Sequence, residues 1–221
     1  MLKANGYVII GLGRFGSSLG KELMKLGYEV LGIDKDEEAV QEMSDILTHA
    51  VVAECTDEEV LRSLGVRNFD CGVVAIGDDI QASILTTIQL KDLGVKKVVA
   101  KAISELHGRV LEKLGVDRVV YPERDMGIRV AHQLVSPNLL DYIELSADYS
   151  IAELTVPRGL DGKSLQEINP RAKYGCSIVA INKTSGVIIA PTAGEVLRER
   201  DVLVVIGTND QIDKFEHAVA K

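Results

Sequence analysis

The chain has no run of 18 consecutive apolar residues, so no segment of it is suited to cross a bilayer as a helix. It also has no long basic run. Lys+Arg 25 is outweighed by Asp+Glu 33, a net charge of −8, and that balance argues against DNA or RNA as a partner because phosphate contacts need a basic surface. Cysteine is scarce: Cys55, Cys71 and Cys176 are odd in number, far apart and without C-x-x-C spacing. They make no zinc set and read as three reduced, structural thiols of a cytoplasmic protein. The opening MLKANGYVIIG runs straight into an apolar strand and leaves no room for a signal peptide. There is no H-E-x-x-H and no G-x-x-x-x-G-K-[ST]. His49, His107, His132 and His217 are scattered without a carboxylate constellation, so each reads as a surface or helix-face residue. A dehydrogenase would need a substrate domain and a general acid/base near its nicotinamide, and only Lys101 stands where such a group is wanted. The chain therefore reads as a non-enzyme.

What the sequence does contain is concentrated between Tyr7 and Asp34. The apolar run Tyr7 to Ile10 reads as a buried parallel strand, and Gly11-Leu12-Gly13-Arg14-Phe15-Gly16 follows at once as G-x-G-x-x-G. Leu19, Leu23 and Leu26 then recur at helical spacing until Gly27, and a second strand, Glu29 to Ile33, ends at Asp34. In this setting Gly11 makes the tight turn, Gly13 lets backbone approach a pyrophosphate, and Gly16 lets the helix sit close on the strand. The free N–H groups at the start of the helix favour an anion. Asp34 stands where the ribose-binding acid is expected, and its charge would repel a 2′-phosphate, which disfavours NADP. Arg14 places a cation in the first helical turn, against the helix dipole. Either it is a solvated loop residue, or it meets a phosphate chain, its own or a neighbouring subunit's.

Strand and helix continue to alternate, which predicts a Rossmann-type, doubly wound parallel sheet. The expected helices span 36–47, 57–64, 80–93 and 105–114, and the expected strands 50–53, 71–76, 97–100 and 119–121. Loops beyond the strand ends should converge on one crevice. They carry Lys35 and Asp36, Cys55 and Thr56, Ile76 and Gly77, with Lys101 and Glu123 on the same edge. Pro122 opens a further helix to about Val135, where Glu123 fits equally well as a dipole-complementing acid. Its stripe of Met126, Val130, Ala131 and Leu134 is free to pack on another chain or on the core. The N-terminal domain with this crossover helix thus covers 1–136, residues 137–146 read as a hinge, and 147–221 as a small α+β domain.

GLGRFG, GID at 32–34, NFDCGVVAIGDDIQASILTTIQLKDLG at 68–94, YPERDMG at 121–127 and RAKYGCSIVAI at 171–181 resemble the RCK family, regulators of potassium conductance. Within it the chain is similar to the cytosolic regulatory subunits of Ktr and Trk potassium-uptake systems. The resemblance implies homodimers assembled into an octameric ring under a membrane-embedded potassium-translocating subunit, hence a peripheral place on the inner face of the cell membrane. It implies ATP as the activating and ADP as the inactivating ligand, with NAD(H) as the alternative of Trk-type relatives. Arg14 would reach the γ-phosphate held by the neighbouring subunit, Asp34 would bind ribose, and Glu123 would help hold a divalent cation, magnesium or calcium, at that shared subunit interface. In the C-terminal lobe, Arg171, Ala172 and Ile178, with Pro191 nearby, match residues that bind cyclic di-AMP between two protomers. Ser177 departs from the Asn often found at its position, which counts against that second ligand.

Overall fold

The computed structural model describes residues 3–136 and 138–219. Pro137 of the expected hinge, and residues 1–2 and 220–221 of the two expected domains, lie outside the described residues. The chain divides into two compact units, Met1–Arg124 and Asp125–Lys221.

In the first unit, β1 (Lys3–Ile10), β2 (Tyr28–Asp34), β3 (His49–Val52), β4 (Cys71–Val74), β5 (Lys97–Lys101) and β6 (Arg118–Val120) form one sheet. Its order is β3-β2-β1-β4-β5-β6, with every pairing parallel. Such a sheet has its strand-order switch between β1 and β4, and the crevice for a ligand opens at the carboxyl ends there. The apolar run of β1 explains its central place: Val8, Ile9 and Ile10 are fully buried. Each such side chain contributes roughly 1.5–3 kcal/mol by leaving water.

The connecting helices are α1 (Arg14–Lys25), α2 (Glu37–Met43), α3 (Glu58–Ser63), α4 (Ile80–Asp92) and α5 (Glu105–Lys113). α2 is shorter than the expected 36–47. The Ser44 hydroxyl donates to the Gln41 carbonyl at 2.8 Å, a side-chain bond that competes with further helix. Two glycines are fixed by crowding. A Cβ at Gly16 would lie 1.9 Å from the Gly11 carbonyl oxygen, so α1 touches the turn it grows from. A Cβ at Gly108 would lie 1.7 Å from the Tyr121 hydroxyl, so α5 comes down directly on the end of β6.

α6 (Pro122–Val135) runs as its sequence predicts, but it buries none of its residues. Met126, Val130 and Leu134 of the apolar stripe are exposed, Leu134 to 79%. The second correction concerns the hinge, whose stretch contains a strand, β7 (Leu139–Glu144). β7 pairs only with β8 (Tyr149–Thr155), at the edge of a five-stranded antiparallel sheet ordered β10-β9-β11-β8-β7. As an edge strand with a register shift between Leu139 and Asp141, it lacks the in-out alternation that would have revealed it. The other strands are β9 (Ser177–Lys183), β10 (Gly186–Ile189) and β11 (Val202–Thr208). The short helices α7 (Leu165–Ile168) and α8 (Pro170–Tyr174) and the closing α9 (Asn209–Val219) complete the unit. Its core gathers Leu154, Ile181, Leu197, Leu203, Val205 and Phe215, all at most 1% exposed.

Candidate nucleotide site

Among α1 to α5, four helices are closed at their N-termini by a side chain. Asp36, Asp57, Asp79 and Ser104 accept from the N–H groups of Glu38, Glu59, Ala82 and His107. α1 is the exception: Gly13 stands at its N-cap with no side-chain hydrogen bond, and no acid occupies its first turn. The N–H groups and positive dipole end of a three-turn helix thus remain available to an anion.

This helix end opens on a cavity of about 650 Å³, within the range of small-molecule sites. Of the residues expected to bind, Gly11, Gly13, Arg14, Phe15, Asp34, Lys35, Asp36, Cys55, Ile76, Gly77, Lys101 and Glu123 all line it. Gly16 and Thr56 do not. Gly16 is packed against the Gly11 carbonyl, and Thr56 faces its own loop, donating to Glu54 at 2.9 Å and accepting from Gln89 at 2.7 Å. Asp78 and Asp79, of a loop expected to converge on the crevice, also line it, as do Glu54 and Ile103, which were outside the expected set. Their positions next to the strand ends were the available signal.

The Asp34 carboxylate is already engaged with backbone. Oδ2 accepts from the Leu12 N–H at 2.6 Å and Oδ1 from the Asp36 N–H at 2.9 Å. This fixes the acid at the end of β2 against the glycine turn. Gly11 itself has φ +97°, and a Cβ there would meet the Ala75 carbonyl carbon at 3.0 Å, so two strand ends come together only over glycine. At Gly13 nothing lies within 4 Å of an added Cβ, which leaves the face toward the cavity open.

On the opposite rim the Lys101 ammonium lies 2.6 Å from Glu123 Oε1, and the Lys101 side chain is only 11% exposed. Lys101 donating to it holds the Glu123 carboxyl below its ordinary range, with a smaller contribution from the Arg14 charge. The same ammonium would sit 3.0 Å from a Cβ at Gly77, so the β4 loop packs directly under it. Cys55 is free and buried, its thiol pushed up to about 12 by burial and then by the charges of Asp34 and Glu54. It is a wall of the cavity and no nucleophile. Cys71 and Cys176 are likewise free and buried.

Lys101 engages one oxygen, Oε1, of the Glu123 carboxylate, whose side chain is 65% exposed, and no cluster of three or more His, Cys, Asp or Glu suited to a metal occurs among the described residues. His107 lies on a helix face, as one of the two expected readings has it, but that face is buried. The residue is 3% exposed, on α5, and neither ring nitrogen has a hydrogen-bond partner among the described residues. In the second unit, Arg171 and Ala172 are exposed on α8, while Ile178 and Pro191 are half-buried on β9 and just beyond β10. None of the four lines the cavity described above. No helix among the described residues is long and apolar enough to cross a membrane.

Comparison with known proteins agrees with this geometry. Residues 7–122 match the TrkA-N domain and residues 151–220 the TrkA-C domain. The chain is 49% identical over 213 residues to the Ktr system potassium uptake protein C of Bacillus subtilis (strain 168), covering 96% of each chain. It is 47% identical over 216 residues to the Ktr system potassium uptake protein A of the same organism, covering 98% of this chain and 97% of that one. Among solved structures, the GsuK channel bound to NAD has the same fold, with a TM-score of 0.53 at 24% identity over 99% of this chain and 39% of that one. An uncapped helix over a glycine turn, in a chain so closely related to these potassium uptake proteins, places the protein in the TrkA-N/TrkA-C family, among the RCK-type regulatory subunits of Ktr potassium uptake systems.

Proposed function

We propose that the chain is a nucleotide-sensing regulatory subunit, not an enzyme, that gates a membrane potassium transporter, with ATP activating and ADP inactivating. The observation that carries this reading is the N-terminus of α1 at Gly13, alone among α1 to α5 in lacking a side-chain cap, facing a cavity with a ribose-positioning acid on its other side. Adenosine would lie along the ends of β2 and β4, and the phosphates at the first turn of α1.

Three cations, Arg14, Lys35 and Lys101, face six carboxylates, Asp34, Asp36, Glu54, Asp78, Asp79 and Glu123. A triphosphate entering so acidic a crevice brings its own counter-ion with it. ATP and ADP share base, ribose and two phosphates, so only contacts to the third phosphate can discriminate them. Arg14, exposed at the mouth, is the residue for that contact, in its own subunit's site or in a neighbour's. The subunit would work as a homo-oligomer, dimers building an octameric ring, held at the inner face of the cell membrane by its potassium-translocating partner.

Calorimetry of the full chain with ATP, ADP, NADH and cyclic di-AMP tests this. ATP and ADP should bind with different affinities, and Arg14→Ala should bring them together. An unchanged ratio removes Arg14 from the reading, and preferential binding of NADH replaces ATP as the ligand. Saturable binding of cyclic di-AMP, lost on Arg171→Ala, would add the second ligand in the C-terminal lobe.

A further inference from the structure

The second unit contains a cavity of about 370 Å³ bordered by α6, β7 and α9, formed by none of the residues discussed above for nucleotide. Glu216 of α9 lines it. The residue is 5% exposed, and its carboxylate has no hydrogen bond or ion pair among the described residues. With no protein donor, a carboxylate on so largely buried a side chain is satisfied only by what enters the cavity, water or a cation.

Several neighbouring donors are occupied. The Tyr142 hydroxyl donates to Asn209 Oδ1 at 3.2 Å, and the Ser150 hydroxyl lies 2.6 Å from both groups. Asn209 Nδ2 donates to the Ala147 carbonyl at 3.1 Å. His217 Nδ1 lies 2.7 Å from the Asp213 carbonyl oxygen. A carbonyl only accepts, so Nδ1 carries the proton and Nε2 of the neutral ring is left as an acceptor. Asp213 adds a second carboxylate to the lining, and no Lys or Arg belongs to it. His132 stacks on Tyr142 with ring centroids 4.8 Å apart, making a flat wall, and Val135, Leu139 and Ile212 are apolar.

We propose that this cavity is a cation site that takes a primary ammonium or guanidinium group on an aliphatic stem. Glu216 is the counter-charge, acceptors at Asp213 and His217 take further N–H groups, and the apolar residues cover the stem. The group comes either from a free amine or from a Lys or Arg side chain of a second copy of the chain.

The test is calorimetry of the full chain with cadaverine at pH 8, in KCl of matched ionic strength. A free-amine site gives saturable binding that Glu216→Gln weakens by about tenfold or more. If a neighbouring copy supplies the cation, cadaverine gives no heat, and Glu216→Gln instead weakens self-association by a similar factor in sedimentation. Val135→Trp alters a residue 77% exposed at the cavity, so it keeps the fold and should obstruct either occupant. The site is refuted if both variants, folded by circular dichroism, leave amine binding and self-association within about twofold of the parent chain.

Discussion

Asp34 Oδ2 accepts the backbone N–H of Leu12 at 2.6 Å, across 22 positions of sequence. One carboxylate thus joins the end of β2 to the middle of the glycine turn, and its charge lies where ribose hydroxyls would arrive. Asp34→Ala should weaken nucleotide binding by about tenfold or more, since it removes both the acceptor and the turn's anchor. The melting temperature should fall by a few degrees, corresponding to about 1 kcal/mol. Calorimetry and thermal unfolding on the same variant check both effects.

Gly13 and Gly16 separate binding from stability. Gly13 has φ −62° and open space around an added Cβ, so Gly13→Ala should leave stability within about 0.5 kcal/mol while blocking the approach of a pyrophosphate. Gly16→Ala forces a methyl group to within 1.9 Å of the Gly11 carbonyl oxygen, so α1 must shift. A cost of about 1–3 kcal/mol is expected. Denaturant unfolding alongside nucleotide titration distinguishes the two glycines. A Gly13→Ala variant that still binds nucleotide normally would remove the phosphate from this turn.

Lys101 and Glu123 form an ion pair on the cavity rim. The Glu123 carboxyl is held below its ordinary range chiefly by this hydrogen bond, so the stabilisation is present above the unfolded carboxyl's pKa and is lost as pH falls through the folded one. Glu123 is 65% exposed, and the stability effect should be small. Lys101→Met should instead show itself in binding. It removes one of three cations from an acid-rich crevice, and nucleotide affinity should become more dependent on added magnesium. Titrations with and without magnesium read this directly.

His107 gives the first unit a pH dependence below neutrality. Burial lowers its pKa, so the folded protein resists the proton that the unfolded chain takes up below its ordinary value near 6.5. Stability should be insensitive to this group above that value and should decline as pH falls below it. His107→Leu should flatten the decline, and should raise stability at pH 5 relative to the parent, because two unpartnered ring nitrogens leave the interior. Melting temperatures of both proteins between pH 8 and pH 5 provide the measurement.

The sequence exposes the parts of the site that are local. Tyr7 to Asp34 is one continuous strand–turn–helix–strand, and spacing alone located its three glycines and its acid. The ends of β4 and β5 followed from alternation, because parallel strands deliver their loops to one edge. Contacts between distant segments were not legible. Nothing in the sequence pairs Lys101 with Glu123, or sets Gly108 under Tyr121, since those neighbours exist only once the sheet is ordered. β7 was hidden for a related reason. LLDYIE has no period of two, and only pairing with β8 makes it a strand. The missing cap on α1 was visible as Gly13, but its meaning emerged only beside four helices that each have one.

The contact between Gly108 and Tyr121 has an evolutionary consequence. Neither residue lines the nucleotide cavity, yet any side chain at 108 would push the ring that precedes Pro122 and Glu123, and with it the start of α6. The two positions are therefore free to drift only as a couple. Lineages that keep a bulky ring at 121 must keep glycine at 108, and a lineage that acquires a side chain at 108 must first have shrunk its partner.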